Sequence, residues 1–247
     1  MKNILITGGV GGIGSSISKK FLEAGFDVYS LDLVEKDFGE HFHNIICDVT
    51  SIEELAKVKE SLADVKFSHI ITLAGRALSD EWMTFKDIDI NSITNSITLN
   101  LSAHLYVLRT FLSSLDDTDE KRSIVLMSSI NAYGGFGLPI YSSAKAGLIA
   151  FTKTTHPELS KIGVRINTIC PGTIVTEATL TEPKDFTELL KTTKLGRFMT
   201  KEEVADLAFE LCELSSKTGR VINIDAGQNE VVNGTRTNNW FIKRSYN

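Results

Sequence analysis

An Ile/Leu run, Ile4-Leu5-Ile6, ends at Thr7 and is followed by five glycines in seven residues: Gly8, Gly9, Gly11, Gly12 and Gly14. Amphipathic spacing then runs through Gly12–Ala24. A strand that turns through glycine into a helix brings backbone close to whatever sits at the helix N-terminus. The N–H groups and positive dipole end there suit a pyrophosphate. Two registers fit: Gly9, Gly11 and Gly14 match GxGxxG, and Gly8, Gly12 and Gly14 match GxxxGxG.

The rest of the chain repeats the alternation. Short runs rich in Ile and Val predict strands over Asn3–Thr7, Asp27–Asp32, Asn44–Asp48, His69–Leu73, Ser123–Ser128, Arg165–Cys170 and Val221–Asp225. Helical periodicity predicts helices over Gly12–Ala24, Ile52–Leu62, Ile88–Leu115, Tyr141–Ile162 and Lys201–Leu214. Runs such as Ile124-Val125-Leu126-Met127 are apolar throughout, as in a parallel strand covered on both faces. The fold class is therefore α/β, a doubly wound parallel sheet with helices on both faces.

Length alone allows one domain or two across 247 residues. An apolar share of 42% with 23% charged residues is ordinary globular composition and excludes disordered, collagen-like and coiled-coil chains. Net charge is -5 with no basic stretch, which disfavours nucleic acid as a partner. No apolar run approaches the roughly 18 residues of a membrane span, so no membrane partner is expected. The N-terminus has neither a signal-peptide nor a transit-peptide pattern. Cys47, Cys170 and Cys212 are too widely spaced for a CxxC pair and read as reduced thiols of a cytoplasmic core. The histidines form no ligand cluster beyond His41-x-His43, so no metal site is expected.

Asp32 ends the second strand, 20 residues beyond Gly12. A carboxylate there accepts hydrogen bonds from ribose hydroxyls and repels a 2′-phosphate, so the reading is NAD, with NADP less favoured. Tyr141 and Lys145 stand four apart on a predicted helix and face the same way. A free phenol, with a pKa of about 10, is a poor base near neutrality. A neighbouring ammonium, aided by the nicotinamide charge, stabilises the phenolate. Alone such a pair means little, since it arises by chance.

Taken in order, Thr7-Gly8-x-x-x-Gly12-Ile13-Gly14, Asp48-Val49, Ala74-Gly75, Asn100-Leu101, Ser128-Ser129, Tyr141-x-x-x-Lys145, Arg165-Ile166-Asn167, Pro171-Gly172 and Asp225-Ala226-Gly227 mean much more. With them the sequence resembles the short-chain dehydrogenase/reductase family, in its compact single-domain form, over about residues 3–228. The resemblance implies a Rossmann-like sheet of about seven strands in the order 3-2-1-4-5-6-7. It implies Tyr141 as general acid/base and Lys145 as the group that lowers its pKa and binds the nicotinamide ribose. A Ser of the 128–129 pair polarises the substrate carbonyl, and Asn100 supports a proton relay to Lys145. Matching the Ser-Ser dipeptide picks Ser129; counting back from Tyr141 picks Ser128, because the loop is one residue short; Ser129 is preferred, since a loop absorbs a deletion more easily than a strand end. Gly8, Gly12, Ile13, Gly14, Asp32, Asp48, Val49, Ala74, Gly75, Pro171, Gly172, Ile174 and Thr176 are implied at the cofactor. Two positions depart from the family pattern: Leu73 stands where Asn is usual, and Ala226 replaces a Gly.

The implied reaction is reversible hydride transfer between NAD(H) and a secondary alcohol or ketone. Two alternatives stand beside it: a dinucleotide-binding regulatory or structural subunit without turnover, and a sugar epimerase or dehydratase using the same Tyr and Lys. The retained Ser, Tyr, Lys and Asn speak against the first; the short C-terminal region speaks against the second. Thr173–Lys194 is expected to cover the substrate within a loop reaching about residue 200, and its mixed composition suits a sugar, polyol, steroid or acyl thioester. Trp240 and Phe241 in the tail 228–247 read as packing or a pocket cap. The family implies a homo-oligomer, tetramer or dimer, paired through the long helices. Motifs spread from Thr7 to Thr176 must meet at one cofactor, so residues 1–247 are expected to form one domain.

Overall fold

In the computed structural model, which describes residues 2–134, 137–174 and 187–228, the apolar runs become seven strands. They are β1 (Lys2–Thr7), β2 (Phe26–Asp32), β3 (Phe42–Ile46), β4 (His69–Thr72), β5 (Ser123–Met127), β6 (Arg165–Pro171) and β7 (Arg220–Ile224). All neighbours pair in parallel, in the order β3-β2-β1-β4-β5-β6-β7. This is the Rossmann-like sheet that the resemblance implies. The chain reverses direction across the sheet between β1 and β4, which opens a crevice at their carboxyl ends.

Side-chain alternation explains why runs such as Ile4-Leu5-Ile6 and Ile124-Val125-Leu126-Met127 are apolar throughout. Leu5, Ile70, Ile124, Leu126 and Ile166 point into one core. Ile4, Ile6, Ile71, Val125, Met127 and Ile169 point into the other. The first core is closed by α2 (Ile52–Ser61), α4 (Ala103–Phe111) and α5 (Pro139–Lys161), with Phe67 and Phe111 fully buried. The second is closed by α1 (Gly12–Glu23) and α7 (Lys201–Phe209), which meet over Phe21. Each fully buried Leu, Ile or Phe contributes roughly 1.5–3 kcal/mol, so neither face tolerates a polar substitution.

Three expectations shift. The helix predicted over Lys201–Leu214 ends as α7 at Phe209 and passes into a wide π-type turn over Glu210–Leu214. The third strand begins and ends two residues earlier than predicted, because Val28–Asp32 of β2 pairs with Phe42–Ile46. Cys47 then leaves the sheet, and its N–H donates to the Asp32 carbonyl at 2.9 Å. The predicted long helix Ile88–Leu115 is interrupted. It comprises α3 (Ile90–Ile97), a wide π-type turn over Thr98–Ser102, α4, and a tight turn over Leu112–Ser114. In the wide turn the Ala103 N–H reaches back to the Thr98 carbonyl. Such turns insert one extra residue into the helical ladder and re-aim the side chain they carry; here that side chain is Asn100.

After β6, Ile174 bridges to Met199, and a one-turn helix α6 (Thr187–Leu190) precedes α7. Thr176, with residues 175–186 of the expected substrate loop, and Trp240 and Phe241 lie outside the described residues. Among the described residues, no helix is long and apolar enough to cross a membrane.

Candidate active site

The loops leaving β1, β4, β5 and β6 converge. Gly8 follows β1 with φ of +73°, a region open to glycine and costly for other residues. A Cβ there would also stand 3.1 Å from the Cα of Ala74, so the loops after β1 and β4 touch through Gly8. The Thr7 hydroxyl secures the same junction, accepting from the Leu73 and Ala74 amides at 3.1 and 3.2 Å. Leu73, the departure from the family's Asn, packs on the second core and lines the cavity beneath.

Gly12, Ile13 and Gly14 form the first turn of α1. Unlike α2 and α7, which Ser51 and Thr200 cap, α1 has no side-chain cap and no acid in its first turn. Its N–H donors are therefore left for an external anion. Asp32 stands beside them. One carboxylate oxygen accepts from the Val10 amide at 3.2 Å, and the other from Leu33 and Val34 at 2.8 and 3.2 Å. A pyrophosphate cradle with a fixed carboxylate at the end of β2 fits a dinucleotide.

Asp48 and Val49 sit at the carboxyl end of β3. Asp48 accepts from the Thr50 amide and hydroxyl, and Val49 is buried in the first core. Neither lines the reaction cavity. That cavity, about 230 Å³, is lined by Ile13, Leu73, Gly75, Met127, Ser128, Ser129, Tyr141, Lys145, Pro171, Gly172 and Ile174. Of the residues expected at the cofactor, Ile13, Gly75, Tyr141, Lys145, Pro171, Gly172 and Ile174 thus meet in one place. Among the described residues, no group of three or more His, Cys, Asp or Glu is placed to hold a metal.

The two serines separate cleanly. The Ser128 hydroxyl donates to the Lys145 carbonyl at 2.8 Å and is committed to the α5 backbone. The Ser129 hydroxyl accepts from the Asn131 amide at 3.2 Å and donates to Asn131 Oδ1 at 3.3 Å, and it lies close enough to the Tyr141 phenol to favour its ionisation. Both serines line the cavity, and Ser129 is the one that acts on the phenol. Lys145 lies one turn along α5 from Tyr141, 2% exposed, its Nζ 5.6 Å from the Tyr141 ring centre. Asn100 is fully buried, and its Nδ2 donates to the Arg76 carbonyl at 2.9 Å and the Ser96 carbonyl at 3.1 Å. Its Oδ1 has no protein partner. A Cβ at Gly75 would lie 2.7 Å from that oxygen and 3.4 Å from Lys145 Nζ, so only glycine lets the three approach.

In the protein alone, without the nicotinamide charge, burial sets the electrostatics of the pair. The Tyr141 phenol is pushed up to about 12, chiefly by burial, with Glu81 and Cys170 adding to it and the Ser129 hydroxyl opposing. Lys145 is pulled down to about 7, again by burial. The cationic charge that would reverse the balance belongs to the bound dinucleotide.

Two residues escaped the sequence reading. Glu81, 1% exposed, accepts from the backbone N–H of Tyr141. Gln228, expected to open a tail, is 1% exposed; its amide accepts from Thr173 N at 2.9 Å and donates to the Thr173 and Thr192 hydroxyls. It clamps the base of the loop after β6.

A family model described as short chain dehydrogenase matches residues 2–185. The acetoacetyl-CoA reductase of a Synechocystis species is 30% identical over 233 residues, covering 91% of this chain and 95% of that protein. A crystal structure of an oxidoreductase of the short chain dehydrogenase/reductase family from Burkholderia thailandensis superposes with a TM-score of 0.83 at 29% identity, covering 99% and 98% of the two chains. ElxO with NADP bound superposes with a TM-score of 0.85 at 24% identity, covering 93% of this chain and 99% of that one. The strand order, the convergent loops and these likenesses agree: the chain belongs to the short-chain dehydrogenase/reductase family, oxidoreductases of CH–OH and C=O groups that bind a nicotinamide dinucleotide.

Proposed function

We propose that the chain interconverts a secondary alcohol and a ketone with NAD(H), using Tyr141 as the general acid/base. The observation that carries the reading is the convergence of Ser129, Tyr141 and Lys145 on one cavity beside the uncapped start of α1. When bound, the nicotinamide supplies or accepts the hydride. The protein does the rest. In oxidation the Tyr141 Oη takes the hydroxyl proton, and in reduction it returns one. The Ser129 hydroxyl donates to the oxygen on which charge develops. Lys145 Nζ and the Asn100 turn hold the proton path behind the phenol. Amides of Gly12, Ile13 and Gly14 bind the phosphates.

Asp32 supports NAD over NADP. Its carboxylate is already oriented by the Val10, Leu33 and Val34 amides, so it meets ribose hydroxyls without reorganisation and opposes a 2′-phosphate. The likeness to an acetoacetyl-CoA reductase makes a 3-oxoacyl thioester the first substrate to try. We further read the protein as a cytoplasmic homo-oligomer, tetramer or dimer; light scattering on the eluting protein tests the assembly, and a 27 kDa monomer refutes it.

The deciding experiment is a dinucleotide-reduction screen over hydroxyacyl thioesters, polyols, sugars and hydroxysteroids, with NAD+ and NADP+ in parallel. Turnover with NAD+ is expected. NADH binding without turnover on any substrate would point to a non-catalytic binder. A strong NADP+ preference would overturn the Asp32 reading.

A further inference from the structure

Glu81 lies in a tight turn, Ser79–Trp82, on the loop leaving Gly75, and is 1% exposed. Its carboxylate collects three donors: the Leu78 amide at 3.2 Å, the Ser96 hydroxyl at 2.6 Å and the Tyr141 amide at 2.6 Å. Burying a carboxylate is costly unless such bonds offset it.

Each partner leads to the site. The Tyr141 amide is one of the unpaired donors in the first turn of α5. That helix starts from Leu138, at φ of +55°, with no side-chain cap and no acid of its own in the first turn. Glu81 supplies the missing anionic cap from another element, at the residue that carries the phenol. Ser96 leads the other way. Its hydroxyl, while donating to Glu81, accepts from Asn100 Nδ2 at 3.3 Å, and its carbonyl accepts from the same nitrogen at 3.1 Å.

We propose that Glu81 is a positioning residue that fixes Tyr141 and the Asn100 turn relative to one another through one carboxylate. The inference rests on Tyr141 being the acid/base. The groups facing the phenol are Lys145 on α5, Ser129 after β5, Cys170 on β6 and Glu81 itself. Of these Glu81 brings the carboxylate, and it and Cys170 both disfavour the phenolate.

The test compares Glu81→Gln, Glu81→Ala, Ser96→Ala and the double Glu81→Ala/Ser96→Ala in the full chain, with acetoacetyl-CoA as the substrate probe. Loss of alignment at the reacting atoms costs on the order of 10–100-fold in rate. Glu81→Ala is expected to lose that much kcat, with KM and NADH affinity held within about threefold. Glu81→Gln, whose amide can still accept from Tyr141 and donate to Ser96, should recover most of it. The double variant should be no worse than Glu81→Ala, since both act through one link. A tyrosinate titration with saturating NAD+, taken as the difference from Tyr141→Phe, should move to lower pH in Glu81→Gln.

An unchanged kcat in Glu81→Ala, additive losses in the double variant, or an unmoved titration would each overturn the proposal. If Glu81→Ala does not fold, the Glu81→Gln titration and the Ser96→Ala rate decide. If the wild type does not reduce acetoacetyl-CoA, the substrate reading fails, while the Tyr141 titration still decides the role of Glu81.

Discussion

Lys145 Nζ donates to the carbonyl oxygen of Met127, the last residue of β5, at 2.9 Å. That bond holds a 2% exposed ammonium under the cavity floor, at a cost to the fold. Burial lowers the Lys145 pKa to about 7 in the folded state, against about 10.4 unfolded. The unfolded chain therefore binds more protons between these values, and the penalty, full below the window, fades as pH rises through it. Lys145→Met removes the penalty and leaves the Met127 carbonyl unpaired, which returns about 1–3 kcal/mol. The variant is expected to be more stable than wild type at pH 7, by about 1–3 kcal/mol, and inactive. Urea unfolding at neutral pH and near pH 10 checks this. The gap should shrink or reverse at the higher pH, and a variant already weaker at pH 7 contradicts the account.

Tyr141→Phe keeps the ring, its packing and the Glu81 bond to the backbone, and removes only the hydroxyl. A positioned acid/base is worth roughly 10²–10⁴ in rate, so kcat should fall by that much while NADH binding, followed by fluorescence, stays within about threefold. Wild-type oxidation should quicken with rising pH, because burial holds the phenol protonated, up to about 12 in the protein alone. The reduction direction should slow over the same range. A Tyr141→Phe enzyme that still turns over would remove the acid/base from this residue.

Asp32→Ser tests the cofactor preference. The substitution removes the negative charge that opposes a 2′-phosphate and the acceptor for ribose hydroxyls. The ratio of kcat/KM for NADP+ over NAD+ should rise at least tenfold, about 1.4 kcal/mol of discrimination. Loss of the Val10 and Leu33 contacts should lower the NAD+ value as well. An unchanged ratio means that residues other than Asp32 read the ribose.

Much of this was legible in the sequence because the constraint was local. Ile4-Leu5-Ile6 faces two cores in alternation, so its uninterrupted apolarity states that both faces are covered. Tyr141 and Lys145 share a helix, so spacing alone brings them together. Asn100 was named, but not the wide turn that aims it, because hydrophobic periodicity does not register one inserted residue. Ser128 and Ser129 could not be separated by counting, since the choice depends on which hydroxyl the α5 backbone consumes. Glu81 was invisible for a stronger reason. An acid between Asp80 and Trp82 reads as solvated, and its burial depends on Ser96 and on Tyr141, which is 60 residues away.

Glu213 gives a test of stability separate from the site. It lies by the amino-terminal ends of the strands and accepts from His69 Nε2 at 2.9 Å, Lys121 Nζ at 3.0 Å and Lys2 Nζ at 3.2 Å. The His69 bond, helped by the two lysines and opposed by burial, holds its carboxyl well below the usual range. A folded pKa below the unfolded one stabilises the protein above about pH 4.3, and that stability is lost as pH falls further. Glu213→Gln keeps the shape and removes the charge. At pH 7 it should cost about 1–3 kcal/mol, discounted from a fully buried pair because the lysines are half exposed. The gap from wild type should narrow below about pH 4, where the wild-type carboxylate loses its advantage too. Urea midpoints at the two pH values measure it. Turnover at pH 7 should be unchanged, since the cavity opens at the opposite, carboxyl ends of the strands; equal midpoints at both pH values would show that the His69–Glu213 cluster does not hold this end of the sheet.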